Sequence, residues 1–364
     1  MSLYSALRQR GLGCLEGRQR GGFVQAMCLE KHSRLAECES PLAWSERSEP
    51  QPGAADLVVR IAACGVCRTE LDEIEARRLP RLPVVPGHQV VGRVEAKGAR
   101  ARGFEVGDRV GVAWIHSACG RCEYCSSERE NLCPDFVATG CDVDGGYAEA
   151  LVVPAAFAHA IPPVFSDAEA APLLCAGAIG YRALRLTGLR DGQSLGLTGF
   201  GASAHLVLKM VRGELPKARV FVFARHEGER QFARELGAVW AGDTETPAPE
   251  MLHAVIDTTP AWRPVVAALA NLRPGGKLVI NAIRKEDGDK EHLLQTDYTR
   301  HLWMERTIQS AANVTRADVR GCLELAARLG LRPEVQEYPL RDANRALREL
   351  AQGKIRGAKV LRVG

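Results

Sequence analysis

The chain has 364 residues, 46% hydrophobic and 25% charged, with a formal net charge of +4. That composition fits a globular protein long enough for two separate cores. Basic and acidic residues are interspersed and no apolar run reaches the roughly 18 residues that span a bilayer, so neither a nucleic-acid nor a membrane partner is expected.

Residues 1–22 are rich in Arg and Gly, with Glu16 the only acid. They lack a continuous hydrophobic segment and a small-residue cleavage site, so no secretory signal is expected and the setting is read as cytoplasmic. A transit peptide is one reading of this stretch. Its few Ser and many Gly residues favour a disordered extension, with the fold beginning near Phe23 or Met27. Twelve cysteines in such a setting point to metal ligation rather than to disulfides.

From Phe23 to about Val153 the pattern is short β-type runs broken by Gly, Pro and Asp. Leu57–Ile61, Val90–Val94 and Arg109–Ala113 are predicted strands, separated by turns such as Gly107-Asp108 and Asp144-Gly145-Gly146. This describes an irregular β-rich domain. Cys64 and Cys67 form a C-x-x-C pair, which alone is read as a redox pair or two buried thiols as readily as a metal signal. His88, in Pro86-Gly87-His88-Gln89, adds an imidazole, and a thiolate with an imidazole is a donor set zinc takes. A catalytic zinc needs three protein ligands and an open fourth position, and Cys175 is the candidate for the third.

Cys119, Cys122, Cys125 and Cys133 follow C-x2-C-x2-C-x7-C, with Gly120 and Pro134 bending the loop. Four thiolates this close suit a closed tetrahedral, structural zinc site; an iron–sulfur cluster is the chemical rival.

Around Ala176 the pattern changes to alternating strands and helices. Ser194–Thr198 reads as a buried strand and His205–Val211 as a helical run. Between them lies G-x-G-x-x-A, with Gly199, Gly201 and Ala204 at its fixed positions. Gly199 allows the tight turn, Gly201 lets a pyrophosphate approach the backbone, and the helix N-terminus faces the phosphates. The next strand, Arg219–Phe223, ends in Ala224-Arg225-His226 without the acid that holds a ribose 2′-hydroxyl. Arg225 can pair with a 2′-phosphate, which favours NADP(H) over NAD(H); the bland alternative is a solvated loop arginine. Helix Glu229–Leu236, strand Ala254–Ile256, helix Pro264–Leu272 and, after a Pro274-Gly275-Gly276 turn, strand Lys277–Ile280 complete a doubly wound parallel sheet. Beyond Arg316, helix, strand and helix lead to Lys359–Val363, a strand predicted to return to the first domain.

Together, Gly65-Val66-Cys67-Arg68-Thr69, Pro86-Gly87-His88, the four-cysteine lobe, Cys175 and the nucleotide fingerprint resemble the zinc-dependent alcohol dehydrogenases of the medium-chain dehydrogenase/reductase superfamily. Gly199-Phe200-Gly201-Ala202-Ser203-Ala204-His205 and Ala312-Asn313-Val314-Thr315-Arg316 are most similar to the bacterial cinnamyl-alcohol-dehydrogenase-like branch. The resemblance implies an α/β protein. A GroES-like β-rich catalytic domain would occupy 23–175, a Rossmann domain 176–312, and a segment returning to the catalytic domain 313–364. It implies two Zn2+ per chain, one held by Cys67, His88 and Cys175 and one by Cys119, Cys122, Cys125 and Cys133. Arg68 and Arg356 would contact the pyrophosphate and Thr69 would place its hydroxyl beside the substrate oxygen.

The implied reaction is hydride transfer between a primary or aromatic alcohol and NADP(H) or NAD(H). Zinc would acidify the alcohol and Thr69 would pass the proton outward. A homodimer or homotetramer is implied as well. Four positions depart from the family pattern: Gln89 replaces a Glu, Glu70 an Asp, Asp72 a relay His, and Ile179 a hydroxyl residue. They bear on rate and proton path, and they motivate a rival reading as a catalytically impaired nucleotide-binding or regulatory relative. A further rival, an NADPH quinone or enone reductase, is disfavoured by the four-cysteine lobe.

Overall fold

The computed structural model describes residues 22–353 and 356–364, so apart from Gly22 the expected N-terminal extension lies outside the described residues. The first half is built from β1 (Phe23–Cys28), β2 (Ala43–Ser48), β3 (Asp56–Val66), β4 (Val90–Lys97), β5 (Arg109–Val112), β6 (Ile115–Ser117), β7 (Val137–Ala138), β8 (Ala150–Pro154) and β9 (Ala158–Ala160), with short helices α1 (Arg68–Ile74) and α2 (Glu123–Ser126). β3 is the spine: it pairs antiparallel with β4 and with β8, and β4 continues to β5 and β9. Register shifts at Val58/Val59 and Ile61/Ala63 bend it, as bulges do, and the sheet curls around Leu57, Val59, Ile61, Val90 and Tyr147.

The second half opens with α3 (Asp167–Pro172), a π-helical turn at Leu173–Gly177 and α4 (Ala178–Thr187). There follow β10 (Ser194–Thr198), α5 (Ala202–Glu214), β11 (Arg219–Phe223), α6 (Glu227–Glu235), β12 (Trp240–Gly242), β13 (Leu252–Asp257), α7 (Arg263–Ala270), β14 (Leu272–Ile280) and β15 (Thr307–Ser310). All six strands are parallel, in the order β12-β11-β10-β13-β14-β15, the doubly wound dinucleotide topology. β11 shows why such strands read as unbroken apolar runs: Val220 and Val222 pack toward α5, while Phe221 and Phe223 face the α7 side.

α8 (Arg316–Arg328), β16 (Val335–Pro339), α9 (Ala343–Ala351) and β17 (Ala358–Arg362) complete the described chain. β17 pairs antiparallel with β3, placing Leu361 opposite Cys64, so the last strand does rejoin the first sheet. Two local expectations are corrected. α5 begins at Ala202 and not His205, because Gly201 takes the N-cap and the Ala-Ser-Ala that follows is compatible with helix. The Pro274-Gly275-Gly276 turn lies within β14: Leu272 already pairs with Leu252, and pairing resumes with Lys277 opposite Ala254. Among the described residues, no helix is long and apolar enough to cross a membrane.

Candidate active site and metal centres

β3 delivers Cys67 to the N-cap of α1, where extended backbone turns into helix. One turn in, Glu70 reaches back, and its Oε2 accepts the Cys67 N–H at 2.6 Å. Its Oε1 lies 2.8 Å from Nδ1 of His88, on the segment leading into β4. Both side chains are buried. Gly87 beside His88 has a φ of +100°, and a Cβ there would fall 2.4 Å from Cδ1 of Tyr147, so only glycine fits. Cys175 arrives on the π turn, a form of backbone often found at functional sites. Its Sγ lies 3.2 Å from His88 Nε2. The ligand atoms of Cys67, His88 and Cys175 all fall within 4.8 Å of one another. Cys64, by contrast, is buried behind the strand with its thiol against its neighbour's carbonyl.

Mutual contacts shift the proton affinities of the three side chains. A hydrogen bond from Cys175, helped by His88 and Thr69, holds the Cys67 thiol well below its ordinary range despite burial, and the same contact raises Cys175. Burial alone would lower His88; the charge of Glu70 and bonds to Cys67 and Glu70 outweigh it and hold the imidazole at about 10. Two sulfurs, one nitrogen and a carboxylate behind the imidazole form a donor set that fits zinc with one position open. Thr69 Oγ1 lies 3.5 Å from Cys67 Sγ, and the Trp114 ring meets His88 edge-on at 4.8 Å.

Cys119, Cys122, Cys125 and Cys133 form a second cluster whose sulfurs lie within 4.8 Å of one another. Backbone N–H groups of Arg121 and Cys122 pull the Cys119 thiol down to about 6. Four converging sulfurs fit a tetrahedral ion with no open position.

On the nucleotide side, Gly199 has a φ of +74° and stands against Thr258 and Thr259, with a notional Cβ 2.9 Å from each. At Gly201, the N-cap of α5, a Cβ would meet no protein atom within 4 Å, leaving the space a pyrophosphate needs. Ala204 is fully buried among Leu195, Leu197 and Val207, so it sets the approach of helix to sheet. Arg225 is exposed at the carboxyl end of β11. Arg68 lies 3.6 Å from Glu286, on the loop after β14. Arg356 pairs with Glu235 at 3.0 Å and lies over the Phe232 ring, which packs on Phe200 of the fingerprint.

Asp72 is buried, 2.8 Å from Arg284 Nε and 3.6 Å from Arg77. Gln89 lies beside Gly65, whose missing side chain makes room for it, and Ile179 is half-buried between the cluster around α8 and the core of the parallel sheet. Sequence reasoning missed Trp114, Arg284 and Glu286, since nothing in a single tryptophan or a loop Arg-x-Glu marks its place.

The alcohol dehydrogenase GroES-like domain family matches residues 53–163. A probable alcohol dehydrogenase, AdhA, of Mycobacterium tuberculosis is 45% identical over 328 residues, covering 88% of this chain and 92% of that protein. An alcohol dehydrogenase of Geobacillus stearothermophilus is 32% identical over 343 residues, covering 92% and 99%. A cinnamyl alcohol dehydrogenase structure from Sorghum bicolor superposes with a TM-score of 0.80 at 26% identity, covering 94% of this chain and 98% of that one. With a GroES-like half, a six-stranded parallel sheet and relatives of this identity over nearly the whole length, the chain belongs to the alcohol dehydrogenases of the medium-chain dehydrogenase/reductase superfamily.

Proposed function

We propose that this chain is a zinc-dependent, NADP(H)-preferring alcohol dehydrogenase or aldehyde reductase acting on primary or aromatic alcohols. The observation that carries the reading is the convergence of Cys67, His88 and Cys175 within 4.8 Å, with Glu70 behind the imidazole. When bound, the ion supplies Lewis acidity to the alcohol or carbonyl oxygen. The protein supplies the rest. Thr69 presents its hydroxyl on the first turn of α1, where it takes the alcohol proton at Oγ1 and hands it outward. Asp72, one turn further along and placed between Arg284 and Arg77, is the far end of that path. Gly201 and the start of α5 receive the pyrophosphate, with Arg68 and Arg356 exchanging Glu286 and Glu235 for it. Arg225 pairs with the 2′-phosphate; among the described residues it has no carboxylate partner, so it is available for the role. The aromatic substrate class is carried by the likeness to the cinnamyl alcohol dehydrogenase fold and by the fingerprint itself.

The test is a zinc-to-chain ratio by elemental analysis, with turnover on aliphatic and aromatic alcohols using NADP and NAD in parallel. Two zinc per chain with faster NADP-linked turnover is the expected result; active protein free of metal overturns the reading.

A further inference from the structure

Glu130 and Asn131 sit on a single 3-10 turn, directly before the lobe cysteine Cys133. They are 2% and 3% exposed, in a lobe whose other polar residues mostly face solvent. A buried carboxylate and amide must find partners, and theirs are not local. Asn131 Nδ2 donates to the Ala312 carbonyl at 2.7 Å. Glu130 Oε1 accepts the Arg316 N–H at 2.8 Å and its Nε at 3.0 Å. Among the described residues, every side-chain hydrogen bond that leaves 119–133 ends at Ala312 or Arg316.

The segment they grip joins the two halves of the cleft. Upstream, Ala311 donates to Ile280 at the carboxyl edge of β14, the edge outside which dinucleotides lie. Downstream, Thr315 caps α8, and Asp318 in its first turn is fully buried. Asp318 accepts from Arg182 at 2.6 Å and Arg185 at 2.8 Å, both on α4, the helix that continues from the Cys175 turn. The Cys322 thiol on α8 reaches the Leu173 carbonyl at the start of that turn.

We propose that Glu130 and Asn131 are positioning residues: through them the four-cysteine lobe fixes the 311–316 connector, and so sets dinucleotide affinity from a site that takes no part in the chemistry. This rests on the dinucleotide reading above. The juxtaposition is specific, because the lobe's outgoing side-chain hydrogen bonds all end on a backbone stretch that joins the sheet edge to the helix packed behind Cys175.

The test uses full-length, zinc-replete protein and two variants. Asn131→Ala removes the amide, and the isosteric Asn131→Asp turns the donor toward Ala312 into an acceptor. Dissociation constants for NADPH and NADH are read by tryptophan fluorescence titration, beside the KM for nucleotide and for alcohol. Nucleotide Kd and KM should rise about tenfold, what one ordinary hydrogen bond is worth. The alcohol KM should stay within about twofold, since a general loosening would move both. Unchanged nucleotide affinity in either folded variant, or an equal rise in alcohol KM, overturns the proposal. Should neither variant fold, hydrogen exchange on the wild type decides: NADPH must protect 311–316 and 129–133 together, and protection of one without the other overturns it. Wild-type protein that binds neither nucleotide brings down the functional reading itself, a result distinct from variants that bind as well as wild type.

Discussion

A carboxylate one methylene longer than the family's usual Asp changes which atoms position 70 can reach. Glu70 spans from the Cys67 N–H to His88 Nδ1, so one side chain orients two of the three candidate ligands. If the proposed function holds, Glu70→Ala should weaken zinc at Cys67, His88 and Cys175 about 10- to 100-fold in chelator competition and leave zinc at the four-cysteine lobe unchanged. Cys67→Ser or His88→Ala should abolish turnover with the far-ultraviolet spectrum unchanged. Arg225→Ala should raise the NADPH Kd by about tenfold or more and the NADH Kd far less, because only the former offers a 2′-phosphate.

Acid sensitivity also begins with single side chains. Burial, with Arg320 and Arg316 nearby against Glu130, lowers His159 from 6.5 to about 4. Burial lowers His205 likewise to about 4, opposed by the Gly201 carbonyl. The unfolded chain binds these protons first, so the stability these two histidines contribute is complete above pH 6.5 and is lost as pH drops from there toward 4. His159→Gln should flatten part of that slope in urea midpoints taken from pH 7 to 5. At this scale the two convergent clusters were legible from residue type, spacing and family resemblance. The Asp72–Arg284 pair was not, since nothing local signals a partner on another element.

Elements were legible where their cause is local. The alternation of β11 and the fingerprint between β10 and α5 follow from side-chain period and from glycine, and both appear where expected. The β14 turn was misplaced because Leu272, ahead of it, is claimed by β13, a tertiary choice no local pattern records. α8 depends on a buried hub, and Asp318→Ala would leave Arg182, mostly buried, without its anion. That change should destabilise by about 3–5 kcal/mol, read as a lowered denaturant midpoint at constant m-value. Cys122→Ser should act on its own element, lowering thermal stability and solubility by removing one of the four converging sulfurs on which the proposed structural zinc depends.

For the whole molecule, one edge of the six-stranded sheet stands out, unpaired among the described residues. β15 is its last strand, and Thr307, Ile308, Gln309 and Ser310 are all exposed with no Pro or charge among them. Monomers usually guard such an edge, so pairing with a second copy is the expected arrangement. Ile308→Glu should shift the sedimentation coefficient toward that of a monomer. The seven-stranded sheet carries a different consequence. β17 lies against the very strand that leads into Cys67, with Val360 opposite Gly65. During synthesis all six strands of the nucleotide sheet emerge before β17, so that sheet can close while the strand leading into Cys67 still lacks this neighbour. Convergence of Cys67, His88 and Cys175 is thereby expected only after the neighbouring sheet has formed.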